Sequence, residues 1–295
     1  MQMKKILLTG GSGFIGRNLL ESFLPQKYEI SAPARAQLDL LDTRTADEFF
    51  AKNSFDCVLH SAVKPCHRNA PDRDALVYSN LRMFENLARN SGSFGRLINF
   101  GSGAIYGQDA DISGAREEDI FKRMPRDEHG FCKYEAAKRM ESLPNFIDLN
   151  IFGIFGKYED YSIRFISNAV CKAMFGMPVT LRQNRRFSYI FIDDFCRIVD
   201  SFISADLKHK TYNITPPGFA ELADIARTVS EMFGGVPVKI AAEGFGADYF
   251  GDNSRLMAEF PETKFTPMPE AVARLAEYYR ANAGKIDRKL LEFDR

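Results

Sequence analysis

Thr9-Gly10-Gly11-Ser12-Gly13-Phe14-Ile15-Gly16 follows an apolar run, Lys5 to Thr9, and opens a helical pattern, Ile15 to Leu24. Three glycines in that context have separate uses: a tight turn, close approach of backbone to phosphate, and close packing of helix on strand. The helix then presents its leading amides to an anion. A turn that merely needs positive φ is the plainer reading of any one glycine. The strand-turn-helix setting favours a dinucleotide pyrophosphate held by Gly10, Gly13, Phe14, Ile15 and Gly16.

Working outward, short strand-like runs alternate with longer helical patterns. The strands are expected at Lys5 to Thr9, Glu29 to Pro33, Cys57 to Ser61, Leu97 to Gly101 and Phe146 to Phe152, and the helices at Ile15 to Leu24, Arg44 to Lys52, Ala75 to Asn90 and Phe131 to Ser142. This repetition predicts an α/β fold, a doubly wound parallel sheet of the Rossmann kind. Beyond Gly156 the pattern loosens, and Ile240 to Phe265 reads as Gly-rich and irregular. The expected division is a dinucleotide-binding domain over 1–153, to which 186–210 returns, and a smaller, loop-rich substrate lobe from 154–185 and 211–295.

Lys plus Arg equals Asp plus Glu, 39 against 39, and no long run of one sign occurs, which argues against nucleic acid or an anionic membrane as partner. No apolar stretch approaches the roughly 18 residues that span a bilayer. The N-terminal run is too short for a signal peptide. Cys57, Cys66, Cys132, Cys171 and Cys196 are scattered without a Cys-x-x-Cys pair, and His60, His67 and His209 lack metal-ligand spacing. A cytoplasmic protein with no metal site and a small-molecule ligand is expected.

Two further stretches carry chemistry: Gly101-Ser102-Gly103-Ala104-Ile105-Tyr106-Gly107, and Pro125-x-x-x-His129-Gly130-Phe131-Cys132-Lys133. With the glycine turn they resemble the extended short-chain dehydrogenase/reductase (NAD-dependent epimerase/dehydratase) family. The resemblance implies that Ser102 hydrogen-bonds the substrate oxygen and Lys133 holds the nicotinamide ribose. It also implies that position 129, a tyrosine in the family, gives the proton. Here that residue is His129. Positions i and i+4 share a helix face, so His129 and Lys133 can enter one cleft. Tyr134-Glu135-Ala136-Ala137-Lys138 offers a literal Tyr-x-x-x-Lys five residues on, about 140° round the helix. Tyr134 therefore stays open as a substitute acid or a packed aromatic, while the flanking Pro125, Gly130 and Cys132 favour the His129 register.

An acid about twenty residues beyond the glycine turn would hold the ribose of NAD. Ser31-Ala32-Pro33-Ala34-Arg35 has none, and Arg35 suits the 2′-phosphate of NADP, so NADP is preferred and NAD remains possible. The resemblance adds Asp39 and Leu40 around the adenine, Ser61 and Ala62 along the cofactor, and Phe152 at the end of a sheet strand. Gly103-Ala104 replaces the Asp-Glu of the family's dehydratases. Ala104 also replaces the Cys of bifunctional GDP-fucose synthases, which the chain resembles in Leu38 to Asp42. In the lobe, Asn150 and Phe187 depart from family arginines, leaving Arg164, Arg182, Arg185, Arg186 and Arg255 as candidates for a diphosphate. The expectation is NADPH-dependent reduction of a keto group on a nucleotide-linked 6-deoxy sugar by a homodimer. A 4-epimerase with bound NAD and a non-catalytic binder are the alternatives.

Overall fold

Alternating residues of successive strands feed two separate cores. Leu7, Val58, Leu97 and Phe146 lie in one, with Leu38, Phe50, Phe84 and Met140. Ile6, Leu8, Cys57, Leu59, Ile98 and Ile147 lie in the other, with Leu19, Phe195, Val199 and Phe202. Such alternation belongs to a sheet covered on both faces. In the computed structural model, which describes residues 3–67, 69–70 and 72–292, that sheet has six strands. Their spatial order is Thr211–Ile214, Phe146–Ile151, Phe94–Phe100, Phe55–His60, Lys5–Thr9 and Glu29–Ser31, every pair parallel. Helices Thr43–Lys52, Leu76–Ala88 and Glu128–Met140 contribute to the first core. Phe14–Glu21 and Ile192–Ser204 contribute to the second, where the rings of Phe100 and Phe195 meet edge-on at 5.1 Å.

Several boundaries differ from expectation. The sixth strand, Thr211–Ile214, falls inside the stretch assigned to the substrate lobe, yet it pairs with Phe146–Ile151 along its whole length. Strand Ile112–Ala115, conversely, leaves the first domain to join a four-stranded sheet with Tyr249–Gly251, Arg186–Phe187 and Ala220–Glu221. The helix expected from Phe131 starts at Glu128, because the Asp127 carboxylate accepts the Gly130 amide at 2.8 Å and caps it. That earlier start places His129 in the first turn. Ile240 to Phe265 is not irregular: it holds strands Val238–Phe245 and Tyr249–Gly251 and helix Ser254–Glu259. The first of these strands buries none of its residues, so it lacks the apolar alternation by which a strand is recognised. Among the described residues no helix is long and apolar enough to cross a membrane.

Two adjacent strands are tied where they leave the sheet. Thr9 Oγ1 lies 2.9 Å from His60 Nδ1 and accepts the Ala62 amide at 3.2 Å. Burial, reinforced by the Lys133 ammonium, pushes the His60 imidazole down to about 3. The unfolded chain therefore binds a proton between about pH 3 and 6.5 that the fold does not, and stability falls as pH drops through that window. We expect His60→Asn to flatten the pH dependence of Tm. Its unfolding free energy should lose about 2 kcal/mol less than wild type between pH 7 and 5, measured by denaturant titration at each pH.

Candidate active site

The carboxyl ends of the strands form the edge on which the glycine turn lies. Gly10 has φ +70°, and a Cβ there would stand 2.7 Å from the Ala62 nitrogen and 2.8 Å from the Ser61 carbonyl carbon. A Cβ on Gly16 would fall 2.2 Å from the Gly10 oxygen. Only hydrogen side chains fit this crossing. Gly13 donates its amide to the Gly10 carbonyl at 3.0 Å and precedes helix Phe14–Glu21 without any side-chain cap. The first amides of a helix have no partner within it, so those of Phe14, Ile15 and Gly16 face outward where an anion would be welcome. The cradle thus fits a dinucleotide pyrophosphate.

Farther along this edge the Arg35 Nε donates to the Asp39 carboxylate at 3.1 Å, with Arg35 largely exposed. The other Asp39 oxygen accepts the Leu41 amide at 2.9 Å. The Leu40 side chain, expected near the adenine, is buried in the first core. Its carbonyl accepts from Asn86 at 2.8 Å.

Helix Glu128–Met140 delivers His129 and Lys133 to one narrow pocket, together with His60, Ala62, Asn99 and Cys132. Tyr134 is turned away: its ring is buried in the first core and meets Phe121 edge-on at 5.4 Å. The literal Tyr-x-x-x-Lys thus supplies packing on this face. Lys133 Nζ donates to the Phe100 carbonyl at 2.9 Å. Burial lowers the Lys133 ammonium from its usual range, and the Asp148 carboxylate opposes that shift. Burial, then the Lys133 charge, push His129 down to about 4 against the pull of Asp127. His129 is a neutral imidazole at neutral pH. Cys132, pushed up to about 11 chiefly by burial, is an unreactive thiol.

Ser102 caps the short turn Gly103–Tyr106, its Oγ accepting the Ala104 amide at 3.2 Å. Phe152, expected along the cofactor, is buried; its ring stacks on Tyr106 at 6.0 Å and is tilted against Tyr249 at 5.2 Å. Beneath the serine, Asn99 donates to the Asp148 carboxylate at 2.7 Å, and burial pushes Asp148 up to about 6. Gly101 is required above them, since a Cβ would meet Asp148 Oδ1 at 2.5 Å and Asn150 Oδ1 at 2.8 Å. Asn99 and Asp148 carry no motif by which the sequence could have announced them.

Tyr249 was likewise missed, because it lies in the stretch read as irregular; its hydroxyl lies so near Gly103 that a Cβ there would stand 2.8 Å from it. The candidate arginines separate clearly. Arg255 is engaged with Glu118 at 2.6 Å and the Thr211 carbonyl at 3.1 Å. Arg186 faces Asp248 at 3.5 Å, and Arg164 and Arg182 are exposed. Arg185 stands 5.3 Å from the centre of the Phe187 ring, and its buried Nε has no partner among the described residues.

Comparison with known proteins agrees with this architecture. The chain is 26% identical over 184 residues to the GDP-L-colitose synthase of Yersinia pseudotuberculosis, covering 57% of this chain and 59% of that one. It is 30% identical over 172 residues to the GDP-L-fucose synthase of Azorhizobium caulinodans, covering 53% and 54%. The matched segments thus span little more than half the length of these curated relatives. Among solved structures, the NADP-bound GDP-mannoheptose C4 reductase of Campylobacter jejuni superposes with a TM-score of 0.79 at 21% identity, over 95% of this chain and 99% of that one. At that identity the likeness is one of fold. Residues 6–215 match the model of the NAD dependent epimerase/dehydratase family. That segment reaches from the first strand of the large sheet to the last and takes in the glycine turn, Ser102 and Lys133, and on this ground the chain belongs to the NAD dependent epimerase/dehydratase family.

Proposed function

We propose that the protein is an oxidoreductase that reduces a keto group, C4 of a 6-deoxy hexose, on a nucleotide-linked sugar with NADPH. The observation that carries this reading is the convergence of His129 and Lys133 on one pocket beside Ala62, whose backbone abuts the glycine turn. The names of the relatives, GDP-sugar synthases and a C4 reductase bound to NADP, support the substrate class. Their partial coverage leaves the particular sugar to experiment.

The cofactor would be held by the Gly10 to Gly16 turn at its pyrophosphate and by Lys133 at its ribose. Arg35 would hold the 2′-phosphate, exchanging Asp39 for a doubly charged partner. When bound, its nicotinamide supplies the hydride that reduces the carbonyl carbon. Ser102 donates its hydroxyl proton to the substrate oxygen and stabilises the negative charge that develops there. His129, neutral in this pocket, donates an N–H hydrogen bond to the same oxygen or to a water beside it, and such a water, replenished from solvent, would give the alkoxide the proton that completes the alcohol. Lys133 keeps the pocket positive, which favours the alkoxide. Arg185, with its unsatisfied Nε, is suited to the nucleotide diphosphate. The free cysteines, Cys57, Cys66, Cys132, Cys171 and Cys196, suit the reducing cytoplasm. We further infer a homodimer through the neighbouring helices Leu76–Ala88 and Glu128–Met140.

The purified protein is expected to consume NADPH in the presence of a nucleotide-linked 4-keto-6-deoxy sugar, the product gaining two hydrogens by mass spectrometry. A changed isomer ratio without net consumption would instead indicate an epimerase, and binding without either would indicate a non-catalytic protein. Arg35→Ala should raise KM for NADPH about tenfold, the loss of roughly 1.4 kcal/mol expected of one charge-assisted contact, and leave NADH little changed.

The low pKa of His129 gives a separate expectation. Its protonated form is scarce above about pH 5, so kcat should run flat from pH 6 to 8, whereas an imidazole with an ordinary pKa near 6.5 would impose a break in that range. His129→Phe should lower kcat by about ten- to a hundredfold and leave the profile flat. Steady-state rates across that range read both outcomes.

A further inference from the structure

We propose that Asp148 is a positioning residue of the active site: its carboxylate, buried beneath Asn99, Phe100 and Gly101, is the internal counter-charge that keeps Lys133 an ammonium ion. This rests on the role given to Lys133 in the preceding subsection and names the residue that sustains it.

The sheet puts the two groups on one side. Asn99 and Asp148 are partners in neighbouring strands. Leu97 and Phe146, two residues earlier in each strand, lie in the first core, whereas Phe100 and Leu149, one residue later, lie in the second. Side chains alternate along a strand, so Asn99 and Asp148 face the first core, the side on which helix Glu128–Met140 carries Lys133.

Within that layer the carboxylate is fixed from both sides of Phe100. Asp148 Oδ1 accepts from Asn99 at 2.7 Å, and a Cβ on Gly101 would stand 2.5 Å from the same oxygen. Lys133 reaches the residue between them, its Nζ donating to the Phe100 carbonyl at 2.9 Å, and it lines one pocket with Asn99. Ammonium and carboxylate thus flank the same three consecutive residues.

Each group has capacity to spare. An ammonium has three N–H donors, and the Phe100 carbonyl takes one. Asp148 Oδ2 is buried with no hydrogen-bond partner among the described residues. An ionised carboxylate so placed needs a compensating charge, because an isolated ion is costly to bury. Asn150, next along the same face, is neutral and offers none.

No other titratable group around Lys133 can take this part. His60 and His129, pushed down to about 3 and 4, are neutral at neutral pH. Cys66 and Cys132 are thiols that burial pushes up, and the Tyr106 phenol is pushed up likewise. Asp127 and Arg164, of opposite sign, act on His129 and Cys66. Asp148 opposes the lowering that burial imposes on Lys133. Pushed up to about 6, it is ionised from neutrality upward, the range in which a buried lysine gives up its proton. The imidazole at position 129 has no anionic form to offer, so the negative charge comes from beneath.

The test reads Lys133 directly. In protein labelled with ε-13C-lysine and free of added cofactor, the Lys133 signal is identified by its disappearance in Lys133→Met and followed against pH by NMR. Asp148→Asn keeps the shape and the bond from Asn99. It should lower the Lys133 midpoint by about one unit or more, the effect of removing an opposite charge at close range. Lys133→Met reads the pair from the other side and serves equally should Asp148→Asn fail to fold. In γ-13C-aspartate-labelled protein, the signal that titrates near pH 6 in wild type should move up by about one unit or more.

Turnover of NADPH with a GDP-linked 4-keto-6-deoxyhexose should follow, the flat stretch of kcat ending about one pH unit earlier in Asp148→Asn. A Lys133 midpoint unmoved by Asp148→Asn, or an aspartate midpoint unmoved by Lys133→Met, would overturn the proposal. Midpoints that move in a protein that turns over no keto sugar would remove the reductase reading and keep the pair.

Discussion

The backbone of Gly10 is pressed against Ser61 and Ala62 so closely that no β-carbon fits between them, and the rest of the site is arranged around that approach. Strands Lys5–Thr9 and Phe55–His60 are neighbours in the sheet, so both leave it at the same edge. The Thr9 hydroxyl, placed between His60 and the Ala62 amide, fixes how far apart they leave. The turn between Gly10 and Gly16 then has one course available, and it aims a helix N-terminus along the mouth of the pocket. Ala62, by lying against the turn and also lining the pocket, joins the two halves of the site.

The charge on Lys133 acts differently on the two residues that can occupy position 129. A nearby ammonium disfavours the protonated imidazole and favours the ionised phenol, so it lowers the pKa of either. For a phenol, ordinarily near 10, that brings the acid closer to neutrality and makes it more useful. For an imidazole, ordinarily near 6.5, the same influence together with burial carries it to about 4 and empties the acid form. The environment is thus one that suits a tyrosine, and it leaves the histidine a neutral imidazole at neutral pH.

The sequence disclosed those parts of the molecule whose logic is local. Glycines whose side-chain space is filled by neighbouring backbone stood out because strand and helix patterns flank them. His129 and Lys133 were placed together by the four-residue repeat of a helix, and the same geometry foretold that Tyr134 faces elsewhere. Strand Val238–Phe245 stayed hidden because its exposed residues have no apolar rhythm. Thr211–Ile214 could be read as a strand, but nothing in four residues says which sheet they enter. Asp148 and Asn99 owe their meaning to burial beneath Gly101, and Tyr249 owes its meaning to a pairing with Ile112–Ala115; both are tertiary facts. Arg35 and Asp39 were each legible, whereas their ion pair required the loop to be seen.

The strand Phe146–Ile151 is buried along its whole length, yet its outer neighbour, Thr211–Ile214, is supplied some sixty residues later. On a ribosome, where synthesis proceeds at about 5–20 residues per second, that apolar edge stands open for several seconds after it has been made. Unpaired edges of this kind invite pairing with other chains. The segment that bridges the interval holds helix Ile192–Ser204, which packs on this same sheet, and lobe strands whose partners, Ala220–Glu221, Val238–Phe245 and Tyr249–Gly251, are made later still. The dinucleotide cradle, completed early and locally, is therefore assembled well before the fold that supports it is sealed, and the nascent chain passes through a stage in which it is most in need of protection from its neighbours.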